Sequence, residues 1–353
     1  MRLVPCRAAV KRRTVLTFIV LPVLLVAALL AAVGIGAVRV APASLIRFLL
    51  HEIGFHSVAL PDSRDITILL LLRLPRVLAA MLVGSGLAVC GVVMQGLFRN
   101  PMASPDVLGI SAGSSLGAVV SIATGLASRS LLTLPACTIA GAFLSAACIY
   151  LLSTSRGTTS LLFIIIAGMA ISSLFSGLTS ALLLFSREYE VSQFIFWTMG
   201  GLDGRGWQHL LFSAPVLVPG MITLSFFARE LDLLSLGEEG ALSLGMHVER
   251  TKRLLLGLTA VITGVAIAVA GPVGFVGLLV PHLMRFIVGS GHRTLVPASA
   301  LGGALFLVLC DLLGRSIAPP YEIRVGIITA ILGSPYLLSL IVRIQRRGAR
   351  GAA

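Results

Sequence analysis

Charge is scarce in this sequence, and acid scarcest of all. The 353-residue chain holds 14 Asp and Glu against 27 Lys and Arg, and charged residues make up only 12% of it, where a soluble domain carries about 25%. With 57% apolar residues, that shortage excludes a soluble, sheet-based fold. Cysteine is also sparse. Cys6, Cys90, Cys137, Cys148 and Cys310 are odd in number and isolated, with no CxxC spacing, so they read as buried free thiols, not as a disulfide framework or a zinc site. No GxxxxGK[ST] stretch occurs, which excludes a P-loop nucleotide site. Paired carboxylates, a His/Cys cluster and a nucleophile beside a base are all missing from the apolar runs, so no catalytic, cofactor or metal residue is assigned.

What the chain has in abundance is apolar length. Runs of about 20 residues, enough to cross a hydrocarbon core and helical because lipid offers the backbone no partner, fall at 15–38, 75–96, 107–126, 131–152, 160–185, 208–228, 253–271, 274–289, 295–313 and 325–343. The expected fold is an all-α polytopic membrane protein of about ten spans. Residues 1–14 form a basic cytoplasmic tail, 15–345 the transmembrane domain and 346–353 a second cytoplasmic tail. The first run is longer than the h-region of a signal peptide and is read as a retained span. Arg2, Arg7, Lys11, Arg12 and Arg13 at one end, and Arg343, Arg346, Arg347 and Arg350 at the other, place both termini in the cytoplasm by the positive-inside rule. The net charge of +13 is dispersed between spans, which fits orientation in a membrane and not nucleic-acid binding. Spans two to five and seven to ten begin on opposite sides, the arrangement of an inverted repeat.

Four features ask for more than topology. Arg73 and Arg76 flank Pro75 in "RLPR" at the outer mouth of the second span, where the positive-inside rule supplies no reason for them. The segment 228–253 is too charged to span, yet its leucines have helical spacing and Gly237, Gly240 and Gly245 divide it into short pieces, as in a docking element. His282 and Asp311 are ionisable groups inside spans, where charge is costly, and read as helix-end hydrogen-bonding residues. In 99–113 two prolines break the helix, with Asn100, Ser104 or Asp106 as candidate caps of the next one and a position near the cytoplasmic side.

Six stretches, "RLPRVLAAMLVGSGLAVCGVVMQGLFRNPMASPDVLGISAG" (73–113), "FWTMGGLDG" (196–204), "LGEEGALSLGMHVER" (236–250), "GPVGFVGLLVPHLMRFIVG" (271–289), "DLLGR" (311–315) and "GIITAILGSPYLLSLI" (326–341), resemble in order and spacing the FecCD permease subunits of ABC importers for iron chelates, haem and cobalamin. The resemblance implies a type II importer permease in the bacterial cytoplasmic membrane. It implies a second permease subunit, identical or a close paralogue, two cytoplasmic ATPase subunits and an extracytoplasmic substrate-binding protein. It assigns Arg73, Arg76 and Arg315 to docking of the binding protein. Leu236, Gly237, Glu238, Ala241, Leu244 and Gly245 fall to ATPase coupling, and Thr158, Thr159 and Ser160 to a cytoplasmic gate. Expected cargo is a ferric siderophore or haem, with cobalamin or an ion-coupled secondary transporter as alternatives. One departure is Arg324 in "EIRVG", where relatives typically have proline.

Overall fold

The apolar runs become helices in the computed structural model, which describes residues 7–36, 40–52, 62–105, 109–130, 132–155 and 158–351. Helix α1 (Arg7–Gly34) is followed by two short helices, α2 (Pro42–Glu52) and α3 (Ser63–Thr67), and α3 runs through a π-helical stretch, Ile68–Arg73, into α4 (Leu74–Leu97). Next come α5 (Ile110–Ala123), α6 (Thr133–Ser153), a hairpin of strands β1 (Thr154–Ser155) and β2 (Thr158–Thr159), α7 (Leu161–Leu184), α8 (Glu188–Thr198) and α9 (Trp207–Phe226). The rest are α10 (Ala228–Leu234), α11 (Glu238–Ser243), α12 (Val248–Ala270), α13 (Val276–Val288), α14 (His292–Ser316) and α15 (Val325–Gly351). Seven helical segments are long and apolar enough to cross a membrane; α5, α13 and the first part of α15 are shorter apolar helices that complete the ten expected. Of the basic tail assigned to 1–14, residues 1–6 lie outside the described residues and the remainder already belongs to α1. Cys90 and Cys310 are buried free thiols as expected, Cys137 and Cys148 are half-buried, and Cys6 is not among the described residues.

Packing follows the inverted repeat. Helix α4 lies on α14 and α13 as α12 lies on α6 and α5, and α5 meets α6 as α13 meets α14. The two halves therefore exchange partners. Small residues allow the close crossings. A side-chain carbon on Gly84 would run into the Gly303 carbonyl, and one on Gly91 into Gly277. The short helices α5 and α13 hold equivalent places, and each is entered through a left-handed residue, Gly109 (φ 59°) and Phe275 (φ 68°). The segments leading to them meet inside the protein, where Ser104, Pro105, Ser111, Thr263, Phe275 and Gly277 help line a cavity of about 170 Å³. Ala103 and Pro105 at the end of the 99–105 turn are buried, whereas Arg99, Asn100 and Pro101 are exposed. Asn100 Oδ1 accepts from the Met102 N–H at 2.9 Å and closes its own turn, α5 has no side-chain cap, and Asp106 lies outside the described residues.

The π-helical stretch leaves one carbonyl without a helical partner. In π geometry the Leu70 carbonyl faces the N–H five residues on, and that residue is Pro75, which has none. The indole N–H of Trp207 donates to Leu70 O instead, at 2.8 Å. Proline thus creates a vacancy that α9 fills, tying the start of α4 to the neighbouring span.

Candidate functional sites at the two ends of the bundle

The three arginines assigned to docking do gather at one end of the bundle, but their side chains turn inward. Helix α1 ends at Gly34 and leaves its last carbonyls without helical partners. Arg73 donates to Val33 O and Gly34 O at 2.8 and 2.6 Å, and Arg315 donates to Ala32 O at 2.5 Å. Guanidinium forks therefore cap a helix C-terminus, where positive charge is favoured. Asp311 supplies the counter-charge. Its Oδ1 accepts from Arg76 Nη2 and Nε at 2.9 and 3.0 Å, its Oδ2 lies 3.3 Å from Arg315 Nε, and Arg76 reaches Glu322 at 2.8 Å. Arg73 and Arg315 are 5% and 3% exposed and Arg76 14%. These are not free cations on a surface. Asp311, read from sequence as a helix-end hydrogen-bonding group, is instead the buried anion of a three-arginine clasp.

Beside the clasp opens a cavity of about 760 Å³ lined by Arg73, Arg76, Arg205 and Arg324 against Asp203 and Glu322, with Phe196 and Leu72 among its apolar walls. Arg324 pairs with Asp203 at 2.8 Å and lies over the Phe196 ring at 5.4 Å. Arg205 lacks a carboxylate partner within ion-pair reach among the described residues. Burial pushes its guanidinium below the ordinary arginine value, and Arg324 acts in the same direction against Asp203. Sequence reasoning passed over Arg205 and over helix α8, whose 11 residues supply Phe196; the motif "FWTMGGLDG" was the available signal.

At the other end, α10 and α11 form the segment assigned to coupling. Leu236, Leu242 and Leu244 are 67%, 57% and 59% exposed, an unusual outlay of leucine on a charged segment. Gly237 (φ 104°) and Gly245 (φ 79°) bracket α11 in conformations that side chains resist. Ala241, assigned to contact, is fully buried, so it anchors α11 from beneath, and Leu242, which was not assigned, takes its outward place. Asp232 fastens α10 to the start of α14 by accepting from the His292 backbone N–H at 3.1 Å and lying 2.6 Å from its ring Nδ1.

The candidate gate residues form a tight corner. Thr158 and Thr159 make up β2, paired with Ser155 and Thr154; Thr159 is buried and Thr158 exposed. Ser160 caps α7, its Oγ accepting from the Phe163 N–H at 3.5 Å. His282 departs from its helix-end reading. Neither ring nitrogen has a hydrogen-bond partner among the described residues, and the ring packs edge-on against Phe286 at 4.9 Å and Tyr336 at 6.1 Å. No group of three or more His, Cys, Asp or Glu side chains able to hold a metal occurs among the described residues.

Known proteins share both the sequence and this architecture. The chain is 42% identical over 283 residues to a hemin transport system permease of Yersinia pestis, covering 79% of this chain and 84% of that one. It is 42% identical over 270 residues to a cobalamin import system permease of Halobacterium salinarum, covering 76% and 72%. It is 38% identical over 278 residues to a molybdate import system permease of Haemophilus influenzae, covering 78% and 81%. Among solved structures, an inward-facing metal-chelate type ABC transporter superimposes with a TM-score of 0.82 at 34% identity, covering 93% of this chain and 99% of that one. The profile of the FecCD transport family matches residues 24–343, and the chain belongs to that family.

Proposed function

We propose that this ABC importer permease carries an iron chelate, a ferric siderophore or haem, inward across the bacterial cytoplasmic membrane, driven by ATP hydrolysis on a partner subunit. The observation that supports this cargo is the 760 Å³ cavity, whose lining carries four arginines and two carboxylates. That imbalance favours an anionic ligand such as a chelate with free carboxylates, and excess field of one sign raises the encounter rate with it. In this reading the arginine clasp faces outward, both termini lie in the cytoplasm, and the binding protein docks on the clasp end. Arg73 and Arg315 act there by fixing the rim, while Arg76, with Glu322, presents the accessible edge. Leu236, Leu242 and Leu244 enter a groove on the ATPase, with Gly237, Glu238 and Gly245 shaping that contact. Residues 158–160 close the path on the ATPase side, against a second permease subunit.

The test is uptake in vesicles that hold the permease with its cognate ATPase and binding protein. ATP-dependent accumulation of radiolabelled ferric citrate or another carboxylate-bearing ferric siderophore, or of haem, is expected. Accumulation of cobalamin alone, which the Halobacterium relative makes the leading rival, would overturn the cargo assignment while leaving the permease assignment intact.

A further inference from the structure

Among the described residues, Lys252 is the largest side chain that is almost completely enclosed, at 1% exposed. It sits near the start of α12, which begins at Val248, five residues before the boundary expected from hydropathy. A lysine ammonium has three N–H donors and no acceptor, and burying it without partners is costly. All three donors are met. Nζ reaches Glu238 Oε2 at 2.8 Å, Glu249 Oε1 at 3.0 Å and the Thr159 carbonyl at 3.0 Å. The three acceptors come from three different elements. Glu238 opens α11, Glu249 lies on α12 itself, and Thr159 ends the hairpin that leads into α7.

We propose that Lys252 is the positioning residue that couples α11 to the 158–160 corner, so that the ATPase-facing leucines and the gate shift as one unit. The proposal rests on the importer reading and adds to it a named link between the two sites. Three properties of the junction favour a link over a local clasp. Two of the three bonds cross between elements, and only the Glu249 bond stays within α12. The hairpin has two residues per strand and α11 is six residues long, so neither element is rigid alone, and each takes its position from what it is fastened to. Finally, Glu238 is 40% exposed beside leucines that face outward, so a displacement of α11 reaches Nζ through one side chain. A compact ammonium suits this geometry because its donors diverge, whereas a planar guanidinium fork favours coplanar acceptors.

The experiment uses the complete complex in vesicles, with ATP hydrolysis and ferric-chelate uptake measured on the same samples, and Lys252→Met and Glu249→Gln as variants. Lys252→Met is expected to keep ATP hydrolysis within about twofold of wild type while uptake falls at least about tenfold, so that ATP consumed per chelate rises. Glu249→Gln, which leaves both crossing bonds in place, is expected to keep uptake within about threefold. In parallel, spin labels at Ser155 in the hairpin and Glu239 on α11, both exposed and outside the residues assigned to the gate and the ATPase contact, report the distance between the two elements without and with ATP bound. Wild type is expected to hold one narrow distance in both states, and Lys252→Met to broaden it. Parallel loss of hydrolysis and uptake in Lys252→Met, an unchanged uptake, or equal losses in both variants would each overturn the link. If the wild-type complex shows no ATP-driven uptake of any chelate but the label distance still loosens on removal of Lys252, the importer reading fails and the mechanical tie stands.

Discussion

The two ends of the bundle handle buried charge in opposite ways. At one end Arg76 and Arg315 hold the carboxylate of Asp311, Arg76 also reaches Glu322, and Arg73 and Arg315 donate to the carbonyls that close α1. At the other, one ammonium holds two carboxylates and a carbonyl. The first arrangement joins long helices, α1, α4 and α14, whose positions are also set by extensive packing. The second joins a six-residue helix and a two-stranded hairpin to the start of α12. The clasp holds elements that packing already fixes, whereas the proposed Lys252 link would carry displacement between elements that little else holds. The contrast fits a transporter in which one face must present a constant surface to a carrier and the other must respond to a motor.

The largest effect expected from breaking this contrast is at Asp311. Replacing it with Asn removes the counter-charge of two buried arginines. Breaking a buried ion pair from one side costs about 3–5 kcal/mol, so Asp311→Asn is expected to lower the midpoint of thermal unfolding in detergent strongly. Lys252→Met is expected to lower it much less, because Glu238 and Glu249 are partly exposed and regain water. Equal losses in the two variants would erase the distinction between a clasp and a link.

Next in size is the leucine row. Leu242→Asp puts a charge where 57% of an apolar side chain stands exposed, and burying a leucine contributes about 1.5–3 kcal/mol. Affinity for the ATPase is expected to fall by about tenfold or more in a pull-down titration, with the fold unchanged. Ala241→Asp, placed beneath α11, is expected to unfold the segment instead. If the two variants behave alike, the inward and outward sides of α11 are wrongly assigned.

How far these sites are visible in the sequence depends on the range of the forces involved. The spans show themselves because lipid imposes one rule on every residue of a run, and even the short helices α5 and α13 are marked by the Gly and Pro that precede them. The arginines are visible as charges beside Pro75, but their partners are not. Arg73 bonds to carbonyls 39 and 40 residues away and Arg315 to one 283 residues away, and a backbone carbonyl leaves no mark in a sequence. Lys252 is hidden for a related reason. In "VERTKR" it looks like any solvated cation, and only the fold places Thr159 above it. Ala241 and Leu242 were confused because α11 is too short for helical periodicity to say which side is covered.

A smaller effect is expected at the docking rim. Reversing Arg76 to Glu would set a carboxylate against buried Asp311 and damage the clasp itself, so Arg76→Gln is the cleaner variant. It keeps a donor near Asp311 and removes the charge. Rim charges act mainly on association rate, so binding-protein affinity at low salt is expected to weaken about tenfold through a slower on-rate. The deficit should shrink at high salt as screening removes the advantage of wild type. An on-rate that does not change would confine Arg76 to the clasp.

The smallest structural effect is expected at Arg324. Its pair with Asp203 is 27% and 46% exposed, and exposed pairs contribute about 0–1 kcal/mol, so Arg324→Ala should leave thermal stability nearly unchanged. The functional consequence is expected to be larger than the structural one. Of the four arginines lining the cavity, Arg73 and Arg76 are committed to the clasp, which leaves Arg205 and Arg324 as the cations that would face cargo under the proposed function. Asp203 already neutralises Arg324, so removing Arg324 frees that carboxylate to pair with Arg205, whose charge it already favours, and the cavity loses a cation that has no carboxylate partner among the described residues. Uptake of an anionic ferric chelate is therefore expected to need several-fold higher concentration of loaded binding protein for half-maximal rate, while a neutral chelate is carried as before. Equal behaviour with both would mean that the cavity charge serves the rim and not the cargo.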